Sequence, residues 1–212
     1  HELVERDIWV YPDFQYYKYE KGLLRFDGQP GFNTPTGRIE LFNSNMMLWG
    51  YDPLPEHKEP SCSPVSNPEL AEKYPLVLTT GARSFEFFHS EHRHAHLTSR
   101  ELHPQPKVEI SVKAAADRGI KEGDWVWIEN QRGRCRQIAT ISLALDERVV
   151  RAEHGWWFPE TEGAEPNLFG VFNSNINNLT PQCENGDTGF GAPYANQLCE
   201  IYKCTEENSQ DL

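Results

Sequence analysis

The chain has 212 residues, a formal charge of −12, 38% hydrophobic and 12% aromatic residues, with six Trp. That acidity argues against a basic surface for a nucleic-acid polymer. No apolar run approaches a bilayer span, so no direct membrane insertion is expected, and so many aromatics exclude a disordered chain. What remains is an acidic globular protein, one large domain or two small ones.

Residues 1–50 are aromatic and dense in Gly and Pro, without a sustained helical period. A short strand is predicted at residues 38–42, where apolar and polar side chains alternate. Five prolines between Pro53 and Pro68 exclude a helix or central strand there and predict an extended connector or a domain boundary. Residues 76–80 form a short continuous apolar run stopped by Gly81, the pattern of a buried strand. Residues 108–112 alternate as a half-buried strand, 113–118 form a brief helix, and Gly119 follows at a helix-ending position. A turn at 121–124 leads into a strand at 125–129. The turn at 130–133 predicts a hairpin back through 134–143. Further strands are predicted near 148–152 and 198–202, before an acidic tail. Short strands with Gly turns point to a small β-barrel carrying one or two short helices.

Three constellations could carry chemistry. His89, His92, His94, His96 and His103 form a cluster, and on a strand His92, His94 and His96 would share a face. With Glu101 they resemble half of a cupin-like metal motif, and they read more readily as a polar loop rich in His and Arg. Gly81 with Arg83 and Arg93 forms an anion-friendly group, because an open backbone and guanidinium forks suit phosphate. Asn173, Asn175, Asn177 and Asn178, with Asn196 and Gln197, could read the edge of a heterocycle, or could simply be turn residues. The five cysteines are odd in number and contain no Cys-x-x-Cys pair, against a disulfide scaffold or structural zinc site. No nucleophile constellation is present.

Five stretches, in order, carry a resemblance. They are Gly31-Phe32-Asn33-Thr34-Pro35-Thr36-Gly37-Arg38-Ile39-Glu40-Leu41; Leu78-Thr79-Thr80-Gly81-Ala82-Arg83 with Phe88-His89-Ser90-Glu91; and Ala115-Ala116-Asp117-Arg118-Gly119-Ile120-Lys121-Glu122-Gly123-Asp124. His154-Gly155-Trp156-Trp157-Phe158-Pro159 follows, and then Asn178-Leu179-Thr180 with Tyr194-Ala195-Asn196-Gln197. Over roughly residues 30–204 the chain resembles the C-terminal molybdopterin-dinucleotide-binding domain of the molybdopterin oxidoreductase (dimethyl sulfoxide reductase) family.

The resemblance implies a mainly β fold, a six-stranded double-psi β-barrel with short helices behind an irregular extended lead-in. It divides the chain into a lead-in and connector at 1–70, a barrel at 71–205 and an acidic tail at 206–212. It implies binding of the pterin and guanine-dinucleotide portions of a molybdenum or tungsten bis-molybdopterin guanine dinucleotide cofactor. Thr80, Gly81 and Arg83 would lie against the pterin or diphosphate, and His89, Ser90 and Glu91 would hydrogen-bond the same group. Asn178, Asn196 and Gln197 would satisfy ring edges, and Trp157 would pack on the cofactor.

The family's iron–sulfur cysteine motif and metal ligand have no counterpart in the sequence. The chain is therefore expected to be a C-terminal fragment or small subunit, not catalytic alone. Its expected partners are N-terminal domains that carry any iron–sulfur cluster, and an electron-transfer subunit. Its expected setting is the prokaryotic cytoplasm or periplasm. The alternatives are a free-standing cupin-like metalloenzyme built on the His cluster, and a non-catalytic interaction domain.

Overall fold

The structure, a computed structural model, describes residues 14–54, 56–82, 86, 97–181, 195 and 197–209. The chain divides into two compact units, His1–His57 and Lys58–Leu212, and the division falls inside the proline-rich stretch.

The first unit is built of turns and one short helix, α1 (Ser44–Leu48), whose Asn43 cap accepts from the Asn45 and Met46 N–H groups. Gly31 has a φ of 122°, and a Cβ there would lie 2.3 Å from the Gly37 carbonyl oxygen, so only glycine fits. The strand expected at 38–42 does not form. Thr34 donates to the Arg38 carbonyl at 2.6 Å, and the Glu40 carboxylate accepts from the Thr36 N–H at 3.0 Å and its hydroxyl at 2.9 Å. These side chains close the backbone locally, in competition with any ladder. Ile39 and Leu41 are left 71% and 81% exposed.

The second unit begins with α2 (Pro68–Lys73). The exclusion of helix through residue 68 therefore ends one residue too late. Pro68 sits in the first turn, where its missing N–H costs nothing, and the Asn67 side chain caps the Leu70 N–H. Then come β1 (Leu76–Ala82), α3 (Leu97–Leu102), β2 (Lys107–Ser111), α4 (Val112–Asp117), β3 (Trp125–Asn130), β4 (Gly133–Ser142) and β5 (Val149–Glu153). Two 3₁₀ turns, Leu168–Gly170 and Ile176–Leu179, flank α5 (Val171–Ser174), and β6 (Gln197–Lys203) closes the fold.

The six strands form a closed barrel in the order β1-β5-β2-β4-β3-β6. β1 runs parallel to β5 and β2 parallel to β4, and the other pairs are antiparallel. This is the mainly β, six-stranded barrel that the resemblance implied. Alternate side chains of each strand point inward, and Leu78, Val108, Ile110, Val126, Ile128 and Val150 are fully buried. β1 alternates as well: Leu76, Leu78 and Thr80 are buried while Val77 and Thr79 are half-buried, because a barrel strand has one inner face. Ser111 caps α4 through the Ala114 N–H at 3.1 Å, and Gly119 follows the helix at φ 63°. Among the described residues no helix is long and apolar enough to cross a membrane.

Candidate functional site

The strand pairings bring several of the expected residues to one end of the barrel. β1 ends there beside the end of its parallel neighbour β5, and the register slips between Thr79 and Ala82. Thr79 faces Arg151 and Ala82 faces Glu153, so Thr80 and Gly81 lie in a bulge. Bulges break the ladder and re-aim the backbone, and they concentrate at barrel rims and binding sites. β6 enters at the same end, with Gln197 opposite Leu78 of β1. β3 leaves there at Asn130, antiparallel to β6.

Three buried polar side chains build the rim. Gln137 of β4 donates from Nε2 to the Glu153 carbonyl at 2.9 Å and to the Ser174 carbonyl at 3.3 Å, and its Oε1 accepts from the Glu153 N–H at 3.2 Å. Asn130 donates to the Leu179 carbonyl at 2.8 Å and so ties the second 3₁₀ turn to the end of β3. The Glu153 carboxylate accepts from the Trp156 indole at 2.8 Å, from the Lys107 N–H at 3.0 Å and from His103 Nε2 at 3.0 Å. These contacts satisfy the buried carboxylate within the fold and fix its place at the rim.

Among the expected site residues, Thr80 and Gln197 have buried side chains and Gly81 is exposed. Asn178 is half-buried and donates from Nδ2 to the Val171 carbonyl at 3.0 Å. Trp157, half-buried, meets Phe169 edge to face at 5.5 Å between ring centroids. Arg83, His89, Ser90, Glu91 and Asn196 lie outside the described residues, as do Arg93 and the trio His92, His94 and His96. The residues that sequence reasoning missed are Gln137, Asn130, Glu153 and His103 in their structural roles. Gln137 carried a signal, being a carboxamide at an inward position between Cys135 and Ala139 on an alternating strand.

Two observations test whether this end suits a cofactor. A Cβ at Gly81 would meet nothing within 4 Å among the described residues, and its φ is not left-handed. Packing within the described chain therefore does not demand glycine, whereas close approach of a ligand to the backbone does. The Ser174 hydroxyl, in the segment held by Gln137, is buried with no hydrogen-bond partner among the described residues. An open backbone, carboxamides and a buried hydroxyl form a neutral donor and acceptor set suited to a pterin and a diphosphate. The residues fit the group.

The family model for the molydopterin dinucleotide binding domain matches residues 76–198, from the first residue of β1 to the second of β6. The chain is 38% identical over 188 residues to dopamine dehydroxylase of Eggerthella lenta, covering 86% of this chain and 18% of that protein. It is 33% identical over 194 residues to acetylene hydratase of Syntrophotalea acetylenica, covering 89% of this chain and 26% of that protein. The solved structure of acetylene hydratase from Pelobacter acetylenicus superimposes with a TM-score of 0.74 at 33% identity, over 85% of this chain and 25% of that one. The chain thus spans about a fifth to a quarter of the length of these relatives.

The cupin-like and interaction-domain alternatives find no support. The family match takes in the histidine-bearing segment. His103 is buried against Glu153, and among the described residues no group of three His, Cys, Asp or Glu is placed to hold a metal. Barrel topology, the bulged end of β1 and an unbroken match from β1 to β6 agree: the chain belongs to the molybdopterin-dinucleotide-binding domain family, within the dimethyl sulfoxide reductase family.

Proposed function

We propose that this barrel holds the pterin and guanine-dinucleotide portions of a bis-molybdopterin guanine dinucleotide cofactor carrying molybdenum or tungsten, as one domain of a larger oxidoreductase. The observation that carries the reading is the bulge at Thr80 and Gly81, an open backbone beside the ends of β5 and β6. When bound, the cofactor's metal supplies the redox chemistry, and the protein supplies binding and orientation.

The chain's own residues then divide the work. Thr80, Gly81 and Arg83 line the diphosphate or pterin, Arg83 as a forked donor to phosphate oxygens. His89, Ser90 and Glu91 hydrogen-bond the same group. Asn178, Asn196 and Gln197 face ring edges that carry both donors and acceptors, and Trp157 packs against the cofactor. Residues 71–205 make up this binding domain and 206–212 a tail. Residues 1–70 form a lead-in that lies against neighbouring domains, a reading supported by Phe26, Leu41 and Leu48 at 96%, 81% and 78% exposure. Those neighbouring domains hold any iron–sulfur cluster, and an electron-transfer subunit exchanges electrons with them.

The test is cofactor content. Full-length protein carrying Arg83→Ala, Asn178→Ala and Asn196→Ala should lose most of its pterin and metal, measured by pterin fluorescence after oxidation and by elemental analysis. Normal content in that variant would overturn the site. The same elemental analysis of the unmodified protein identifies the metal.

A further inference from the structure

The loop that follows β5 is closed on itself at Phe169. The Phe169 N–H donates to the Glu162 carbonyl at 2.9 Å, and its carbonyl accepts from the Phe158 N–H at 2.7 Å. Two aromatic rings then cross the loop onto glycines. A Cβ at Gly163 would lie 2.4 Å from the Phe169 ring, and one at Gly170 would lie 2.9 Å from the Phe158 ring. Arg100 of α3 lies over Phe158 and Trp156, 5.6 and 5.2 Å from their ring centroids, and pairs with Glu160 at 2.6 Å. The Phe169 ring meets Trp157 edge to face, with centroids 5.5 Å apart and planes at 69°.

This closure strains the backbone. Leu168, Phe169 and Gly170 are all left-handed, at φ 42°, 57° and 67°. Glycine adopts that region freely, whereas a Cβ is crowded there. With a bulky side chain such a conformation persists only where its surroundings impose it, and it concentrates at functional sites. Glycine at 169 would build the same turn without strain, so the benefit lies in the Phe169 ring itself. Core packing does not supply that benefit, because Phe169 is 41% exposed. The left-handed backbone sends the ring back over Gly163, where its neighbour is the indole of Trp157.

We propose that Phe169 is a positioning residue for cofactor binding: aimed by the left-handed turn and seated on Gly163, its ring forms one wall that sets the plane of the Trp157 indole. The indole then presents a fixed face to a planar ring of the cofactor. The proposal rests on the cofactor reading above, in which Trp157 is a contact, and adds the residue that orients that contact. A side chain ordered in advance loses less freedom on binding, so the wall strengthens the hold without touching the cofactor. Gly163 is part of the arrangement, because any other residue would place a Cβ against the ring.

The test measures cofactor content of the full-length protein, by pterin fluorescence after oxidation, beside thermal melts of the cofactor-free form. Trp157→Ala and Phe169→Gly should each lower content roughly threefold to tenfold, the scale of one aromatic pair. Phe169→Gly also relieves the left-handed backbone, so its melting midpoint should hold while its content falls. The double variant should be no lower than Trp157→Ala, because Phe169 acts through the indole. Phe169→Tyr keeps the ring and should restore content. Gly163→Ala displaces the ring without altering residue 169 and should lower content. Normal content in Phe169→Gly and Gly163→Ala, losses that add in the double variant, or midpoints that fall with content in both single variants would overturn the proposal and leave Trp157 a contact. Normal content in Trp157→Ala would instead remove that contact from the cofactor reading, and the positioning role with it.

Discussion

Gln137 and Glu153 exchange two hydrogen bonds: the buried side-chain amide of one pairs with both backbone groups of the other, at 2.9 and 3.2 Å. β4 and β5 are not neighbours in the barrel, because β2 lies between them and begins only at Lys107. Where β2 is missing, the carboxamide of Gln137 takes the place of a strand. The same Nε2 reaches the Ser174 carbonyl, so one side chain joins the rim of the barrel to α5.

Replacing Gln137 with Leu should therefore destabilise the fold by about 2–4 kcal/mol, since it strands buried backbone groups of Glu153 and Ser174 without partners. Urea unfolding monitored by Trp fluorescence measures this directly. A loss under about 1 kcal/mol would mean that the rim relaxes around the gap.

Gly81→Ala separates folding from binding. With open space at the Cβ and no left-handed φ, the substitution should leave stability unchanged or raise it by up to ~1 kcal/mol. Cofactor content of the full-length protein should fall about tenfold, equivalent to ~1.4 kcal/mol of binding. Parallel thermal melts and pterin assays give both numbers.

Acid sensitivity should trace in part to Asp124. The Lys121 N–H, at 2.9 Å, and then the Lys203 ammonium hold its carboxyl below the ordinary value of 3.8. A carboxylate with a lowered folded value contributes stability that is complete above the ordinary value and is lost as pH falls below it. Asp124→Asn should cost about 0.5–1 kcal/mol at pH 7, and the difference from wild type should be smaller at pH 3. Urea midpoints at the two pH values check the sign.

The cysteines should differ sharply in reactivity. Burial pushes the thiols of Cys135 and Cys199 far up, and the nearby Glu200 charge adds to the effect at Cys199. Burial of half-exposed Cys204 pushes its thiol up to about 11. A raised thiol carries less thiolate at pH 8. Peptide mapping after iodoacetamide should find Cys135 and Cys199 unmodified in the native protein. Cys204 should react at least about tenfold more slowly than an unstructured cysteine. In denaturant all three should react alike.

Read as sequence alone, the chain determined what depends on near neighbours. The alternating strand read at 108–112, the brief helix read at 113–118 before Gly119, and the hairpin turning between Asn130 and Gly133 are local matters of side-chain period and backbone freedom, and each forms within a residue of its reading, strand and helix at Lys107–Ser111 and Val112–Asp117. The ordered motifs also determined the family, because their sequence follows the strands one after another. Locality misled at residues 38–42, where the alternation was present but Thr34, Thr36 and Glu40 bonded the backbone first.

The tertiary structure alone decided the strand order, in which β5 is inserted between β1 and β2, and with it the meeting of Thr80, Gly81 and Gln197 at one end. It also decided the meaning of His103. In the sequence this residue is one of five clustered histidines, and its partner Glu153 stands fifty residues away. A buried imidazole takes its role from the charges brought against it, and only closure of the barrel brings them there.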